Sequence, residues 1–583
     1  MLAEKTSLVR VASLADLQQS GCLAVTAEGH TLALFSYSGT VYAVDNRCPH
    51  MGFPLSRGSV RDGILTCHWH HARFDMASGG TFDEWADDVP TFPVEVRGGE
   101  VWVDLEPKID RVAHHRRRLR DGLERDIPLV IAKAVIALIE GTGDPAEPFR
   151  AGLDFGVRCR QAGWGQGLTI LTCMMNLLPT LAPEDRSRAL YQGLSAVAAD
   201  CDGSAPRFPA RPLPGQAADL PTLKSWFREF IEVRDSDGAE RCLVSAIQSG
   251  ADHAQVADML FAAATDHRYI STGHPVDFTN KAIEALDLAG WNDAEIILGS
   301  LVAGYADSSR MEESNAWRYP VDLISLLDYA FEALPTALTK GQKHPGAWGG
   351  FEALVEVILG DDPQATIKAL LDALRSGCAP ADLAGAVSYA AALRIARFHT
   401  SNEFGDWDTA LHTFTFANAV QQGLRRVVSA DLLRGVFDAA MSVYLDRFLN
   451  VPAARLPRVE AGGARPDELL ADLAALLDRQ QQVDPAGELA ARYLATGADV
   501  ELLLAALGHL LLREDRDFHT IQVVEAAFRQ YRLLRDTPAG PHVLIAAARY
   551  LGAHAPTMRA EGQTFQIASR LSRGERLFED IET

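Results

Sequence analysis

RCPHMGFPLSRGSVRDGILTCHWHHARFD, residues Arg47 to Asp75, carries two thiols and two imidazoles at a fixed spacing. Cys48-Pro49-His50 is a C-x-H step, sixteen residues follow, and Cys67-His68-Trp69-His70 is a C-x-x-H step. The sequence around them alternates in short runs: Thr31–Phe35, Thr40–Val44, Gly63–Thr66, and a closing pair Phe92–Val96 and Glu100–Val103. Ser38-Gly39, Asp62-Gly63 and Gly98-Gly99 punctuate these runs as two-residue turns, so the first hundred or so residues read as a small antiparallel β domain. Each ligand motif follows a strand and therefore lies on a loop held by a rigid scaffold, a common place for a metal site. Cys₂His₂ is also a zinc set, but zinc fingers rarely divide their ligands as C-x-H and C-x-x-H over two β loops.

The two motifs resemble those of the Rieske family, over roughly the first 105 residues. The resemblance implies a [2Fe–2S] cluster with Cys48 and Cys67 on one iron and His50 and His70 on the other. Neutral imidazoles leave such a cluster less negative and raise its potential above that of an all-cysteine cluster. The family usually has Pro after the second Cys and Gly after the second His; here His68 and His71 stand there, extra imidazoles read as surface neighbours of the ligands.

The chain has 583 residues, too many for one core, with 48% hydrophobic and 23% charged residues and a net charge of −22. That charge argues against nucleic acid or an anionic membrane as partner. The other six cysteines are scattered and read as buried hydrophobes in a reducing compartment. No basic-then-apolar leader opens the sequence and no apolar run is long enough to span a bilayer, so the expectation is a cytoplasmic protein. Arg111 to Arg120 is a basic run in an acidic chain. It is read as a solvated helix face or an intramolecular partner for acidic surface, the alternative being a dock for an acidic electron donor, within a connector over residues 107–127.

From residue 128 to 583 apolar residues recur at three and four, which predicts an all-helical domain behind the β domain of residues 1–106 and gives a multidomain α+β chain. The region repeats. Gly250, Gly377 and Gly497 each follow Ser or Thr and open a helix, and His274, His399 and His519 follow them by 24, 22 and 22 residues. A weaker fourth copy at Gly163 lacks the histidine. Histidines at equivalent places of stacked modules can converge on one point. Setting Asp277 against Asp408 places Lys281 opposite His412, and the third copy offers Gln522 and Glu525 there. The candidate ligands of a second metal are therefore His274, Lys281, His399, His412 and His519, with His267 and His509 nearby as alternatives. An ammonium has no lone pair, so lysine ligates only if carboxylated.

His274-Pro-Val-Asp-Phe followed by Lys281, with Phe398-His399-Thr400 and Trp407-Asp-Thr-Ala-Leu-His412, is similar to the questin oxidase-like family. That resemblance implies one non-haem Fe(II) held by four histidines and a carboxylated lysine. The D-x-x-H-x₄-H signature of the usual Rieske partner domain is absent, and no G-x-G-x-x-G opens a βαβ unit, so reducing equivalents must come from an external ferredoxin or NAD(P)H-dependent reductase. The expected activity is a Rieske-coupled mono- or dioxygenase, an oxidoreductase using O₂ on a small organic substrate. Phe278, Phe398 and Trp407 beside the ligands suggest that this substrate is apolar, aromatic or polyketide-like. The alternative is a ferredoxin-like electron-transfer or scaffold protein whose helical repeat only binds partners. A homo-oligomer stays open.

Overall fold

The computed structural model describes residues 8–106, 110–215, 218–457, 464–575 and 577. Pro107 lies outside them. The chain divides into two compact units, residues 1–151 with 560–583, and residues 152–559.

Among the described residues the first unit is built on ten strands: β1 (Leu8–Ser13), β2 (Cys22–Ala27), β3 (His30–Tyr37), β4 (Thr40–Asp45), β5 (Ser59–Arg61), β6 (Ile64–Thr66), β7 (Arg73–Asp75), β8 (Thr91–Phe92), β9 (Val94–Arg97) and β10 (Glu100–Asp104). They form three antiparallel sheets in the orders β1-β10-β9, β2-β3-β4-β8 and β5-β6-β7. Strand β3 explains the double core. Its four consecutive residues Leu32, Ala33, Leu34 and Phe35 are all buried, because the sheet is covered on both faces. Leu32 and Leu34 join Ala43, Val101 and Val103. Ala33 and Phe35 turn the other way, toward Val44, Cys48, Cys67 and Phe74. The hairpins close through Ser38-Gly39, Asp62-Gly63 and Gly98-Gly99, where both residues have positive φ, as type I′ turns demand.

The first unit does not stop at residue 106. The basic run is a helix, Arg111–Glu124, capped by the Asp110 side chain on the Ala113 N–H. It packs on the helix Pro128–Thr142, which in turn packs on the helix Ala560–Ser572 from the far end of the chain. The first two helices cross closely at Gly122, where a Cβ would lie 2.9 Å from Ile131 Cγ1. The division expected at residues 106 and 127 followed the end of the strand pattern. The compact unit instead follows the burial of Leu119, Leu123, Val130, Ile131 and Val135.

The second unit has helices and no strand among its described residues. Its repeat is physical. Gly250, Gly377 and Gly497 have φ of 88°, 92° and 70° and each joins two helices. At the first two, the next residue reaches back to close the helix end: the Ala251 N–H donates to Ala246 O at 3.1 Å and the Cys378 N–H to Ala373 O at 3.0 Å. After each such joint comes a long helix: His274–Ala289, Phe404–Arg426 and Phe518–Leu534. The middle one packs against the other two, and the helix Gln166–Leu177 packs on the outer pair. No helix of the described residues is long and apolar enough to cross a membrane.

Candidate metal centres

In the first unit the loop after β4 presents Cys48 and His50, and the loop between β6 and β7 presents Cys67 and His70. Backbone bonds fix both loops: Cys48 N–H to Phe53 O at 2.8 Å, Gly52 N–H to Cys48 O at 2.7 Å, and Cys67 N–H to Ala72 O at 2.8 Å. Both cysteines are buried, and their thiols hydrogen-bond to each other. The His50 and Met51 N–H groups point at the Cys48 sulfur, and those of Trp69 and His70 at the Cys67 sulfur. The Cys48 hydrogen bond, aided by those amides, pulls the Cys67 thiol down to about 6, while the Cys48 thiol is pushed up. Thiol protons would be released on metal binding, since the thiolate is the ligand.

The imidazoles of His50 and His70 stand edge to face with centroids 4.8 Å apart. Trp85 abuts His50 at 4.7 Å and Trp69 abuts His70 at 4.5 Å. Burial pushes His50 down to about 4, with the Lys133 charge adding to it, so the ring is neutral at physiological pH. Its Nδ1 is buried without a hydrogen-bond partner, which suits an atom meant for iron. Two adjacent thiols, two adjacent imidazoles and an orphaned ring nitrogen fit a Rieske cluster. His68 and His71 are exposed, and His68 Nε2 lies 2.9 Å from Ser59 Oγ. His71 holds φ of 63°, a conformation in which glycine is at ease.

In the second unit three of the five expected ligands meet. The ligating atoms of His274, His412 and His519 all lie within 4.8 Å of one another. His274 is the first residue of its helix, His519 the second of its own, and His412 sits about two turns inside the helix between them. Burial, then the neighbouring imidazoles, push His274 down to about 3 and His412 to about 4. His519 Nε2 is buried without a partner. Three half-buried imidazoles facing one point and an orphaned nitrogen fit a divalent transition metal.

His399 is placed elsewhere, in the loop before the middle helix, with Nδ1 2.8 Å from Ser401 Oγ. In the first and third copies the histidine opens its helix, but in the second the helix starts only at Phe404, and His412 occupies the meeting point instead. Lys281 is buried as an ammonium, 2.6 Å from Glu525 and 3.1 Å from Glu284. His267 is bound between Glu232 and Glu312, both at 2.6 Å, and His509 pairs with Asp185 at 2.9 Å.

Of the expected substrate contacts, Phe278 lies beside His274 with centroids 5.3 Å apart. Phe398 and Trp407 pack on each other at 4.7 Å, and Trp407 faces Tyr550 and His554. Phe518 was not singled out by the sequence reading. It lies 5.8 Å from His274 and 5.9 Å from Phe278, and its place directly before a repeated histidine was the available signal.

Below the triad, polar residues recur along the two outer helices: Asp277, Lys281 and Glu284 on one, Gln522, Glu525 and Arg529 on the other. They pair across as Asp277 with Gln522, Lys281 with Glu525, and Glu284 with Arg529. Asn176 donates to Glu284 at 2.8 Å and to Glu525 at 3.0 Å.

Comparison with known proteins bears on the first unit. The family model for the Rieske [2Fe–2S] domain matches residues 7–93. The ferredoxin component of a naphthalene 1,2-dioxygenase system from Pseudomonas putida is 32% identical over 98 residues, 17% of this chain and 94% of that protein. The ferredoxin component of a p-cumate 2,3-dioxygenase system from Pseudomonas putida is 32% identical over 103 residues, 17% of this chain and 87% of that protein. Among solved structures, the Sphingomonas yanoikuyae B1 ferredoxin is 28% identical, with 17% of this chain and 98% of that one covered and a TM-score of 0.16. With its paired thiols and imidazoles in the matched stretch, the chain belongs to the Rieske [2Fe–2S] family and carries that family's electron-transfer domain at its N-terminal end.

Proposed function

We propose that the protein is an oxygenase in which the Rieske domain feeds electrons to a mononuclear iron held by His274, His412 and His519. When bound, the cluster supplies one-electron transfer, and the mononuclear iron supplies the activation of O₂ toward an organic substrate. Cys48 and Cys67 would hold one cluster iron through sulfur, and His50 and His70 would hold the other through ring nitrogens. In the helical unit His274, His412 and His519 would hold the metal through ring nitrogens. Phe278 and Phe518 flank His274 with apolar rings, which favours an apolar or aromatic substrate and excludes water. Asp277, one turn below His274, is pushed up to about 7 by burial, so this carboxyl can hold or release a proton near neutrality. Carboxylation of Lys281 would replace a cation by an anion beside Glu284 and Glu525, so the three-histidine set is preferred to the five-ligand set. Electrons come from an external ferredoxin or NAD(P)H-dependent reductase.

The observation that carries this reading is the convergence of three half-buried imidazoles drawn from three separate helices of the repeat. Metal analysis of the full chain tests it. Three irons per chain are expected, two with the Rieske spectrum and one without. A second reading, electron transfer by the Rieske domain with a helical unit that only binds partners, is favoured by the relatives being ferredoxin components over 17% of the chain. Two irons and no other metal would select that second reading.

A further inference from the structure

Lys133 belongs to the helix Pro128–Thr142, outside the matched residues 7–93. The naphthalene-system relative has 94% of its length accounted for by the aligned 98 residues, so it leaves no room for such a helix. The Lys133 side chain is 11% exposed and reaches the cluster loop from behind. Its Nζ donates to Pro49 O at 2.5 Å and to His50 O at 3.0 Å. Those two carbonyls belong to the same peptide groups whose N–H ends, on His50 and Met51, point at the Cys48 sulfur. Each peptide group is therefore bound by an ammonium at its oxygen and a ligand sulfur at its hydrogen. Such chains polarise: a cation on the carbonyl strengthens donation from the amide.

The counter-charge is also built in. Asp87 lies 3.6 Å from Lys133 and is clamped by Arg118 at 2.7 Å. Arg118 donates further to Glu84 O at 2.8 Å and Ala86 O at 3.1 Å, which fixes the loop that carries Trp85 against His50. Lys133 is bonded directly to the ligand loop, and its charge acts on His50 more strongly than that of Asp87.

We propose that Lys133 is a potential-setting residue that raises the reduction potential of the Rieske cluster through the Pro49–His50 and His50–Met51 peptide groups. One-electron reduction adds a single negative charge to the cluster; a fixed ammonium and two strengthened N–H···S bonds favour that reduced form. The proposal rests on the Rieske assignment alone and is independent of the oxygenase reading.

The test is a spectroelectrochemical titration of the full-length protein, with the paramagnetic signal of the reduced cluster recorded in parallel. Lys133→Met keeps the length of the side chain and removes the charge. The expected result is a midpoint lower by about 59 mV, a roughly tenfold shift in the one-electron equilibrium, with the Rieske signal retained. Asp87→Asn removes the counter-charge and should move the midpoint upward. An unchanged midpoint in a cluster-loaded Lys133→Met overturns the proposal. If that variant fails to load a cluster, Asp87→Asn decides: a raised midpoint supports the proposal, and an unchanged or lowered one overturns it.

Discussion

The Lys281 ammonium lies 2.6 Å from the Glu525 carboxylate, and each residue stands about two turns below a histidine of the triad, His274 on one helix and His519 on the other. The pair fixes the register of the two helices and hence the meeting of their histidines. Both side chains are nearly inaccessible, at 2% and 3% exposure, so neither charge can turn to water if its partner is removed. Lys281→Met leaves Glu525 and Glu284 buried, with Arg529, Asn176 and Asn280 to satisfy them. The expected cost is about 3–5 kcal/mol of unfolding free energy, the range for breaking a buried pair. Urea denaturation checks this. Iron content per folded molecule should stay at the wild-type value if Lys281 supports the site, and should fall if Lys281 is a ligand.

Two carboxyls of this network move in opposite directions, which makes the pH dependence of the helical unit informative. Burial raises Glu284, but Lys281 and Arg529 outweigh it and hold the carboxyl at about 2, below its ordinary 4.5. Its stabilising contribution is present above pH 4.5 and lost as pH falls toward 2. Asp277 is raised from 3.8 to about 7 by burial, so its contribution is present below pH 3.8 and lost as pH rises through 7. Asp438 and Asp446 are also raised to about 7 by burial, so the Asp277 contribution between pH 5 and 8 is read from the difference between wild type and a variant. Asp277→Asn keeps an acceptor for Gln522 and removes the titration. Relative to wild type, the variant should gain roughly 3 kcal/mol of stability on going from pH 5 to pH 8. Denaturant curves at the two pH values measure it, and parallel behaviour of the two proteins would contradict the assignment.

Metal uptake at the triad has its own pH signature. A histidine with an ordinary pKa near 6.5 makes metal compete with protons below that pH. His274 and His412, pushed down to about 3 and 4, are already neutral and release no proton when a metal enters. Cobalt(II) titrations followed by absorbance should therefore give an affinity at pH 6 that falls from its pH 7.5 value by less than two protonating imidazoles would require. A fall of a full hundredfold per pH unit below 6.5 would show that both are ordinary histidines.

The Rieske half was legible because a ligand motif is a local pattern and because Ser38-Gly39, Asp62-Gly63 and Gly98-Gly99 name their turns through φ alone. The helical repeat was legible for the same reason: Gly250, Gly377 and Gly497 mark left-handed joints that few other residues tolerate. Less legible was anything that depends on where a helix starts. Nothing in the stretch Phe398 to Glu403 announces that the second copy delays its helix to Phe404, and that delay is what moves His399 away and brings His412 in. The partner of Lys281 was equally hidden, since Glu525 is 244 residues distant and the ion pair exists only once the helices pack. Lys133 is a lone lysine in an apolar helix, and its target, the Pro49 and His50 carbonyls, carries no side-chain signal at all.

His71 offers a prediction about the cluster loop. Its φ of 63° costs a non-glycine residue about 1–2 kcal/mol relative to the right-handed region. Its ring is exposed, so little packing is lost on removal. His71→Gly should therefore stabilise the Rieske loop by about 1 kcal/mol after the extra entropy of glycine in the unfolded chain is subtracted. The thermal midpoint followed by the visible absorption of the cluster checks it. A lower midpoint would mean that the imidazole does something for the loop beyond occupying the position.

The sharpest division falls between His399 and the three histidines that meet. Removing one of three ligands from a metal weakens binding by more than the roughly 10–100-fold lost when a supporting neighbour is removed. His274→Ala, His412→Ala and His519→Ala should each leave two irons per chain, with the Rieske absorption intact because Cys48, His50, Cys67 and His70 belong to the other unit. His399→Ala should keep the third iron, since His399 is not among the histidines whose ligating atoms meet. Metal content by mass spectrometry and the cluster spectrum, read on the same samples, separate the cases. Loss of the third iron from His399→Ala, with the fold intact by circular dichroism, would restore the larger ligand set. Retention of three irons in His519→Ala would remove the triad from the reading altogether.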